Sequence, residues 1–451
     1  MSDAGAVAPQ RRAAYEVLRR VFEHDAWADR AFPAAAERHR LDARERAQAQ
    51  RLAYGAVQRR GTTDHLIERL AGRRVSRLDP PVLAALRLGL YELVFSDATP
   101  DHAAVDQAVE LAKGAGGRRR RAAAGLVNAV LRRAAADDPL ADLDDATPEG
   151  AAALHSCPEW LARMWWRELG ADQARSLMAA INRPAETALR VNTLRAGPEE
   201  TIDALRAAGE PVTRRGERVL SPPEAIVVEG QLSEGLRRRI AAGELVAQAR
   251  GSQAVVEVLD PRPGERVLDL CAAPGIKTSA IAARMGDRGE IVAIERDPGR
   301  ASQLREMSTR LGATCVKVVE GDAREIDLGD GYDRVLVDPP CSDLGTLASR
   351  PDARWRKSPE LVDRLAEVQS TILERGAAAL APGGTLVYST CTISRHEGPD
   401  RIRELHAGGI GAVDLGHESP ELADPDDSRF LQLRPDRDRT DGFFIARLEA
   451  S

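Results

Sequence analysis

The sequence has few cysteines: five in 451 residues, at positions 157, 271, 315, 341 and 391. An odd number of widely spaced cysteines in so long a chain does not suit a disulfide-stabilised secreted fold and favours a reducing cytoplasm. No apolar run approaches the roughly 20 residues that a helix needs to cross a bilayer. The N-terminal stretch also lacks a hydrophobic segment behind its arginines, so we expect neither secretion nor membrane insertion.

Internal repeats and low-complexity tracts are absent as well. A chain of 451 residues is longer than one hydrophobic core usually supports, and 43% hydrophobic content supplies enough apolar residues for two or three cores. We therefore expect a multidomain globular protein.

Charge is unevenly distributed along the chain. The total is −6 at pH 7, but the first 140 residues carry 24 Lys and Arg against 18 Asp and Glu, which makes them +6 and leaves −12 for the remainder. A basic N-terminal region is compatible with contact to RNA phosphates and equally with a solvated arginine-rich surface. Both interpretations also apply to the basic cluster GGRRRRAAAG at residues 116–125.

Helical spacing of apolar residues dominates the N-terminal region. Leu83, Leu86 and Leu90, for example, recur at intervals of three and four. Residues 134–150 are acidic, contain proline and show no periodicity, which predicts a linker. We predict an all-helical domain over residues 1–140.

The remaining sequence divides by pattern into two parts. Residues 151–245 mix helix signals such as CPEWLARMWWREL with short strand candidates such as AIVVEG, which predicts a small α+β module. Over residues 246–451 the strand candidates RVLDL, EIVAIE, TCVKVVE, DRVLVD and TLVYST alternate with helical stretches. This alternation predicts an α/β fold with a parallel, doubly wound sheet that binds ligands at the carboxyl ends of its strands.

A turn of small residues, CAAPGIKT, joins the strand RVLDL to the next helix. Small side chains let a nucleotide-like ligand approach the backbone, and the helix N-terminus offers free N–H groups. The turn lacks the GxGxxG pattern, which disfavours a nicotinamide-dependent oxidoreductase. Glu295 ends the next strand, where it can accept hydrogen bonds from ribose hydroxyls, and Asp322 follows the third, near an adenine edge. Each acidic residue alone is more often a cap or a solvated loop residue, but three consecutive strand ends together predict a cofactor site.

Two cysteines follow the next two strands. Asp338 ends DRVLVD with Cys341 three residues later, and Cys391 follows TLVYST. A lone cysteine is most often a small buried apolar residue, which is our interpretation of Cys157 and Cys315. Two cysteines side by side above a cofactor turn indicate chemistry instead.

The chemistry that best explains paired cysteines is methylation of a cytosine at C5. A thiolate that adds to C6 makes C5 nucleophilic towards a sulfonium methyl donor, and the other cysteine can act as the acid/base that completes the reaction. A carboxylic acid at N3, for which Asp338 is the candidate, would offset charge on the ring. The positive cofactor and Lys277 are expected to lower the pKa of the attacking thiol. The base must lie outside any stack, so single-stranded or flipped RNA is the expected substrate; the pattern does not say which cysteine attacks.

The motifs that carry this chemistry resemble those of a known family. DLCAAPGIKT, DPPCS and STC closely resemble motifs I, IV and VI of the Sun/Nop2-type RNA 5-methylcytosine methyltransferases, and RVNTLR and DGFFIARL resemble its short N-terminal motif and last hairpin. LAYGAVQRR, LRLGLYEL and GLVNAVLRR in the helical domain are similar to NusB. A NusB-like domain ahead of such a catalytic domain is the arrangement of the RsmB-type bacterial enzymes, which modify 16S rRNA.

The resemblance implies a cytoplasmic, monomeric S-adenosylmethionine-dependent enzyme acting on RNA, namely 16S rRNA or a small-subunit assembly intermediate. Residues 1–140 would be a NusB-like RNA-binding domain, residues 151–245 an RNA-binding module, and residues 246–451 a class I (Rossmann-like) methyltransferase domain. Cys391 would be the nucleophile and Cys341 would assist product release, whereas a DNA cytosine methyltransferase attacks with its motif IV cysteine. The implied cofactor-binding residues are Cys271, Ala272, Ala273, Pro274, Gly275, Ile276, Lys277, Glu295, Asp322 and Asp338.

Three positions depart from the family pattern. The second glycine of the usual PGGKT turn is Ile276, and a β-branched residue would be strained there if the position needed a positive φ. The usual Gln-Asp pair upstream of motif I is Gln248 and Ala249, and the Glu-Asn pair after motif VI is Glu397 and Gly398. Ile276 and Ala249 leave an alternative open, a noncatalytic RNA-binding or ribosome-assembly factor that has kept the fold. No metal site is expected, because the cysteines lack ligand spacing and the histidines form no cluster with them.

Overall fold

The computed structural model describes residues 7–96, 99–115, 120–214, 222–405 and 409–451. Residues 116–119 of the basic cluster lie outside the described residues, so the choice there between a phosphate contact and a solvated surface stays open. By its internal contacts the chain divides into two units, Met1–Arg183 with Arg350–Arg356, and Pro184–Ser349 with Lys357–Ser451. Within the described ranges, no helix combines the length and the apolar character needed to cross a membrane.

The first unit is helical, which agrees with the all-helical N-terminal domain that the apolar spacing predicts. A single turn of 3-10 helix at Val75–Arg77 separates two of its helices, and another lies at Ala353–Trp355. The helices are α1 (Pro9–Glu23), α2 (Ala28–Arg38), α3 (Ala43–Gln58), α4 (Arg60–Ala71), α5 (Pro80–Phe95), α6 (Asp101–Ala115), α7 (Arg120–Ala136), α8 (Pro148–His155), α9 (Glu159–Leu169) and α10 (Ala171–Ala180).

Local sequence signals explain several helix ends. The side chain of Asp42 accepts a hydrogen bond from the N–H of Glu45, whose own carboxylate accepts one from the N–H of Asp42, and this capping box begins α3. Pro80 occupies the first turn of α5, where its missing N–H leaves no hydrogen bond unmade. Helix α4 ends at Gly72, which adopts the left-handed conformation with φ 64°.

Apolar side chains from these helices form a continuous core, and one buried ion pair is embedded in it. Arg11 on α1 and Glu92 on α5 are 2.7 Å apart, and both are almost inaccessible to solvent. Pairing removes most of the cost of burying either charge. Representative buried residues of this core are Leu18, Leu66 and Leu86.

A short segment from much later in the chain, Arg350–Arg356, belongs to this helical unit. Arg354 is fully buried, and its guanidinium donates hydrogen bonds of 3.0 Å to the carbonyl oxygens of Ser156 and Ile181 and to Oδ1 of Asn182. These acceptors come from the ends of α8 and α10. The segment therefore supplies donors to acceptors at the ends of α8 and α10, although the carbonyl oxygen of Ile181 also accepts a 2.9 Å hydrogen bond from Nε2 of Gln58.

Residues 151–245, for which the sequence predicts a small α+β module, belong partly to each of the two units. Helices α8 to α10 lie in the helical unit, and the strands that follow lie in the second unit. The side chain of Thr62 on α4 donates to the carbonyl oxygen of Ala153 at 2.7 Å, and the N–H of Gly61 donates to Oγ of Ser156 at 2.8 Å. Such contacts tie α8 to α4, and sequence periodicity cannot reveal them.

The second unit begins with a small antiparallel sheet in the order β2-β3-β1-β4. Apolar residues of the sheet and of α11 and α12 form a core of their own. The elements are β1 (Thr187–Val191), α11 (Pro198–Ala207), β2 (Val212–Thr213), β3 (Ala225–Val228), α12 (Glu234–Ala241) and β4 (Leu245–Ala247).

A large mixed sheet flanked by helices makes up the rest of the second unit. Its elements are α13 (Arg250–Leu259), β5 (Arg266–Leu270), α14 (Ile276–Arg284), β6 (Glu290–Glu295), α15 (Pro298–Leu311), β7 (Val316–Glu320), β8 (Tyr332–Val337), α16 (Pro359–Ala378), β9 (Leu380–Thr390), α17 (Pro399–Arg403), β10 (Ile410–Ala412), α18 (Leu415–Glu418), β11 (Ala423–Asp424), β12 (Asp427–Leu433), α19 (Pro435–Asp438) and β13 (Phe443–Ala450).

Strand order places the site at one edge of this sheet. The order is β11-β12-β13-β9-β8-β5-β6-β7, with β10 paired to β13. Strands β5 to β9 are parallel, which confirms the predicted doubly wound α/β fold, and the strands from β10 onward extend it in the antiparallel sense. The chain reverses its direction of winding between β5 and β8, and open sheets of this type bind ligands at such a point.

Candidate active site

The cofactor turn lies between β5 and α14. Gly275 has φ 101°, and a Cβ built on it would lie 2.5 Å from Cδ1 of Leu304, so the position has little room for a side chain. Ile276 is the first residue of α14. The positive φ therefore falls on Gly275, and the strain expected at Ile276 is absent.

Acidic side chains follow β6 and β7, the next two strands of the sheet on one side of this turn. Glu295 at the end of β6 is 4% exposed, and its Oε1 accepts a 2.9 Å hydrogen bond from the N–H of Asp297. Asp322 follows β7, and Arg324 binds its carboxylate through Nε at 3.0 Å and Nη2 at 2.6 Å. The hydrogen bond from Arg324 lowers the pKa of Asp322 to about 2, so this carboxylate is ionised at neutral pH.

Asp338 follows β8, and its carboxylate is hydrogen-bonded both to the helix after the cofactor turn and to β9. Its Oδ2 accepts a 2.6 Å hydrogen bond from Nζ of Lys277 on α14, and its Oδ1 accepts a 3.0 Å bond from Oγ of Ser389 on β9. The Lys277 ammonium also lies 5.3 Å from the centre of the Phe443 ring. These contacts hold Asp338 at the middle of the ligand-binding edge.

The side chains of Cys341 and Cys391 are in contact. Cys391 directly follows β9, Cys341 lies in the loop after β8, and their Sγ atoms are 3.1 Å apart. Because Val337 and Tyr388 are register partners in the parallel pair β8 and β9, both loops leave the sheet at the same level. The structure thus brings together the two cysteines that the sequence places at neighbouring strand ends.

Both thiols are less acidic than an ordinary cysteine. The hydrogen bond with Cys341, followed by burial, raises the pKa of Cys391 well above its usual value. The same hydrogen bond is the largest single influence on Cys341 and lowers its pKa, but burial together with the negative charges of Asp343 and Glu397 outweighs it, so the net shift is upward. In the protein alone the net shift of the Cys391 pKa is upward, and the lowering expected from the positive cofactor together with Lys277 stays a prediction.

Sequence analysis did not identify Asp343 as part of this site. The Cys391 thiol donates a hydrogen bond to Oδ1 of Asp343 at 3.2 Å, and the Cys341 sulfur lies 3.9 Å from the same oxygen. Asp343 has φ 57°, in the left-handed region that non-glycine residues seldom adopt. Nothing in the pattern DPPCSD shows that the loop turns back on itself here, so its sequence gave no signal for this contact.

Glu397 is a second residue whose place in the site was not foreseen. Its buried carboxylate accepts hydrogen bonds from the N–H of Ser342 at 2.8 Å, from Nε2 of Gln369 at 3.0 Å, and from the hydroxyl groups of Ser342 and Thr392. Burial raises the pKa of Glu397. Since Ser342 follows Cys341 and Thr392 follows Cys391, Glu397 fixes both cysteine loops.

Two glycines bring the last hairpin against the cysteine loops. The N–H of Gly345 donates to the carbonyl oxygen of Cys391 at 3.0 Å, and the N–H of Gly442 donates to the carbonyl oxygen of Gly345 at 2.8 Å. A Cβ on Gly345 would lie 2.1 Å from the Gly442 oxygen. The backbones approach this closely because neither residue has a side chain.

The other cysteines have different surroundings. Cys157 is buried in the helical unit, and burial raises its pKa to about 12. Cys315 begins the approach to β7, where its thiol is hydrogen-bonded to Asp287. Cys271 lies in the cofactor turn with φ 63°, and burial raises its pKa to about 12.

The three parts of the chain match three family profiles in sequence order. The profile of the NusB family matches residues 8–136, that of the RsmF/B-like ferredoxin-like domain matches residues 157–233, and that described as 16S rRNA methyltransferase RsmB/F matches residues 256–449. A crystal structure of PH0851 has a TM-score of 0.80 at 29% identity and covers 98% of this chain and 99% of that one.

Two relatives extend this similarity along the whole chain. A protein of Synechocystis sp. named probable ribosomal RNA small subunit methyltransferase B is 33% identical, and the match covers 97% of this chain and 99% of the relative. A protein of Bacillus subtilis with the same name is 32% identical over 97% of this chain and 98% of its own length.

The fold and the site define a class I methyltransferase, with S-adenosylmethionine as its methyl donor. Its helical N-terminal domain is of the NusB type. The chain belongs to the RsmB/F family of rRNA methyltransferases.

Proposed function

We propose that this chain methylates C5 of a cytosine in 16S rRNA through a covalent bond between Cys391 and C6 of the base. The observation that carries the proposal is the contact of two thiols, with sulfurs 3.1 Å apart, at the ligand-binding edge of the sheet. A packing role would need only one cysteine. A pair fits a reaction that requires a nucleophile and a second acid/base within reach of the same ring.

The two cysteines have unequal roles in this proposal. Cys391 transfers its proton to the carboxylate of Asp343, which accepts its hydrogen bond at 3.2 Å, and the resulting thiolate adds to C6, which makes C5 electron-rich. S-adenosylmethionine supplies the methyl group that C5 takes up. Cys341, after losing its own proton to solvent, then accepts the proton from C5 as the bond between C6 and the Cys391 sulfur breaks, so that the ring double bond is restored and Cys391 leaves as a thiolate.

Asp338 and Lys277 are assigned to the N3 edge of the cytosine. An ionised carboxylate alone can only accept hydrogen bonds, whereas the Lys277 ammonium 2.6 Å from Asp338 can donate a proton. Together they offset the negative charge that develops on the ring when a thiolate adds to C6.

The cofactor is assigned to the turn Cys271–Lys277 and to the acidic strand ends. The fit rests on the small residues of the turn, on the N-terminus of α14 that follows it, and on carboxylates at consecutive strand ends. Glu295 would accept hydrogen bonds from ribose hydroxyls, since its Oε2 is 3.8 Å from the nearest Arg300 nitrogen. Asp322 would lie near the adenine, and Asp338 near the methionine end.

The helical unit offers a site for RNA phosphates. A cavity of about 920 Å³ between α1, α2 and α6 is lined by five arginines and two glutamates, and two of the arginines, Arg19 and Arg38, are ion-paired with Glu23 and Glu16; the arginines are Arg12, Arg19, Arg20, Arg30 and Arg38, and the glutamates are Glu16 and Glu110. Clustered guanidinium groups bind phosphates with a strong salt dependence. Replacing Arg20 and Arg30 by glutamine should weaken RNA binding and flatten its dependence on salt, whereas an unchanged salt slope would assign these arginines to the solvated surface.

The cysteine roles are tested by two variants. Cys391→Ser should abolish methylation of rRNA, and Cys341→Ala should leave a covalent RNA adduct that persists on a denaturing gel. An adduct with Cys391→Ser, and none with Cys341→Ala, would reverse the assignment. Mapping 5-methylcytosine in rRNA from cells with and without the gene identifies the substrate position.

A noncatalytic RNA-binding factor is the alternative, and calorimetry with S-adenosylmethionine separates the two. The enzyme should bind the cofactor with measurable heat, whereas no binding at millimolar concentration would favour the alternative. Two departures from the family pattern, at Ile276 and Ala249, favoured this alternative. The first carries less weight now, because Ile276 occupies an ordinary helical position.

A further inference from the structure

Three soft or anionic donor atoms converge at the cysteine pair. Besides the contact of 3.1 Å between the sulfurs, Oδ1 of Asp343 is 3.2 Å from Sγ of Cys391 and 3.9 Å from Sγ of Cys341. The three side chains are partly buried, and their donor atoms all lie within 4.8 Å of one another. We propose that Cys341, Cys391 and Asp343 bind a soft divalent cation such as Zn²⁺, which holds the methyltransferase in a reversibly inactive state.

The spacing of the donors suits a tetrahedral ion. With Zn–S bonds of about 2.3 Å and Zn–O bonds of about 2.0 Å, the tetrahedron requires roughly 3.8 Å between two sulfurs and roughly 3.5 Å between sulfur and oxygen. The observed separations of 3.1, 3.2 and 3.9 Å are each within about 0.7 Å of these values. Small rotations about the side-chain bonds of two cysteines cover that difference.

The carboxylate ligand is held in place by its neighbours. Nζ of Lys357 donates to Oδ2 of Asp343 at 3.0 Å, which leaves Oδ1 directed at the sulfurs. The N–H and the hydroxyl group of Thr346 both donate to the Asp343 carbonyl oxygen at 3.0 Å. A residue at φ 57° persists only where its surroundings fix it, so this ligand is preorganised.

Charge also balances at this site. A bound dication would meet two thiolates and one carboxylate, and Lys357, which is bound to Asp343, offsets the one negative charge that remains. Three protein ligands leave the fourth position to water, as in zinc sites that are not purely structural. Asp343 lies two positions after Cys341 and 48 positions before Cys391 in the sequence. Spacing along the chain therefore did not indicate this site.

Metal binding and methylation are linked by the sulfurs. Cys391 cannot add to C6 and Cys341 cannot accept a proton while both are metal ligands. This consequence rests on the proposed function, but the binding site itself does not. Removal of the ion by a chelator should return the protein to the active state.

The test titrates zinc chloride alone into the reduced full-length protein against a chromophoric chelator. One ion should bind per chain, and Cys341→Ala or Cys391→Ser should weaken its affinity at least 100-fold, with Asp343→Asn weakening it about tenfold. Cys315→Ser is the matched control, because Cys315 is also a thiol hydrogen-bonded to an aspartate. It should leave the affinity unchanged.

Equal zinc affinity in the wild type and in Cys391→Ser, at an unchanged unfolding temperature, would overturn the proposal, as would failure of the wild type to bind zinc at all. Methylation is assayed in parallel with excess chelator and with excess zinc. Inactivity in chelator alone would count against the proposed function and leave the zinc measurement intact. Activity undiminished by a stoichiometrically bound ion would overturn the inhibitory role.

Discussion

The carboxylate of Glu397 accepts a 2.8 Å hydrogen bond from the backbone N–H of Ser342, the residue that follows Cys341. Through Thr392 the same carboxylate also reaches the residue after Cys391. Loss of a buried acceptor is costly, because its donors are then buried without a hydrogen-bond partner and are not solvated by water. Glu397 therefore links the two cysteine loops and fixes their relative position.

Substitution of Glu397 separates the loss of its hydrogen bonds from the loss of its charge. Glu397→Ala leaves the N–H of Ser342 and the side chain of Gln369 without their acceptor, and it should lower the free energy of unfolding by about 2–4 kcal/mol. Glu397→Gln keeps one acceptor oxygen and should cost under about 1 kcal/mol. Urea unfolding measures both, and equal losses would show that the carboxylate does not hold the loops.

Gly345→Ala should displace the loop that carries Cys341. Its new Cβ would lie 2.1 Å from the carbonyl oxygen of Gly442, and backbone atoms cannot move away cheaply. We expect methylation to fall at least tenfold and stability to fall by about 1–3 kcal/mol. Gly411→Ala is the control, since a Cβ there meets nothing within 4 Å, and comparable damage from both variants would refute this explanation.

Ala249→Asp should stabilise the protein. Ala249 is the N-cap of α13 and makes no side-chain capping hydrogen bond. An aspartate there would accept a hydrogen bond from the first turn and raise the free energy of unfolding by about 0.5–2 kcal/mol. Ala247→Asp adds the same charge two residues earlier and should give no gain; thermal unfolding of the two variants decides whether the cap is responsible.

Asp269 should make stability fall with rising pH. Burial raises its pKa to about 7, although it accepts a 2.7 Å hydrogen bond from Thr278. A carboxyl group whose pKa is higher in the folded than in the unfolded state stabilises the fold at acid pH and loses that contribution between about pH 4 and pH 7.

Asp269→Asn removes this titration and keeps an acceptor for Thr278. Relative to the wild type, the variant should be more stable at pH 8 than at pH 5 by on the order of 2 kcal/mol, which urea unfolding without cofactor can measure. An identical difference between the two proteins at both pH values would contradict the shifted pKa.

The positions of the strands and their ends could be predicted from the sequence, because alternation of strands and helices dictates a parallel sheet whose carboxyl ends meet at one edge. This placed Cys341 and Cys391 side by side. The conformation of the loops could not be predicted in this way. The contact of Asp343 with both sulfurs depends on a positive φ at Asp343, which the sequence pattern does not indicate. The raised pKa of Cys391 likewise depends on the distance between two sulfurs, which no spacing encodes.

The sequence pattern also does not indicate which unit a helix packs into. Helices α8 to α10 have the composition of a separate module, yet hydrogen bonds from Thr62 and Gly61 assign them to the helical unit. Periodicity reports which face of a helix is apolar and not which partner will cover it.

The burial of Arg354 limits where this protein can be truncated and which segments can be exchanged with a relative. A fragment that ends at Arg183 would lack Arg350–Arg356 and would take the Arg354 donor away from the carbonyl oxygen of Ser156 and from Oδ1 of Asn182. Exchange of the helical unit between relatives therefore has to carry two separate stretches of gene, one of them inside the catalytic coding sequence. The boundary that is simplest to draw along the sequence is not one at which the protein can be divided.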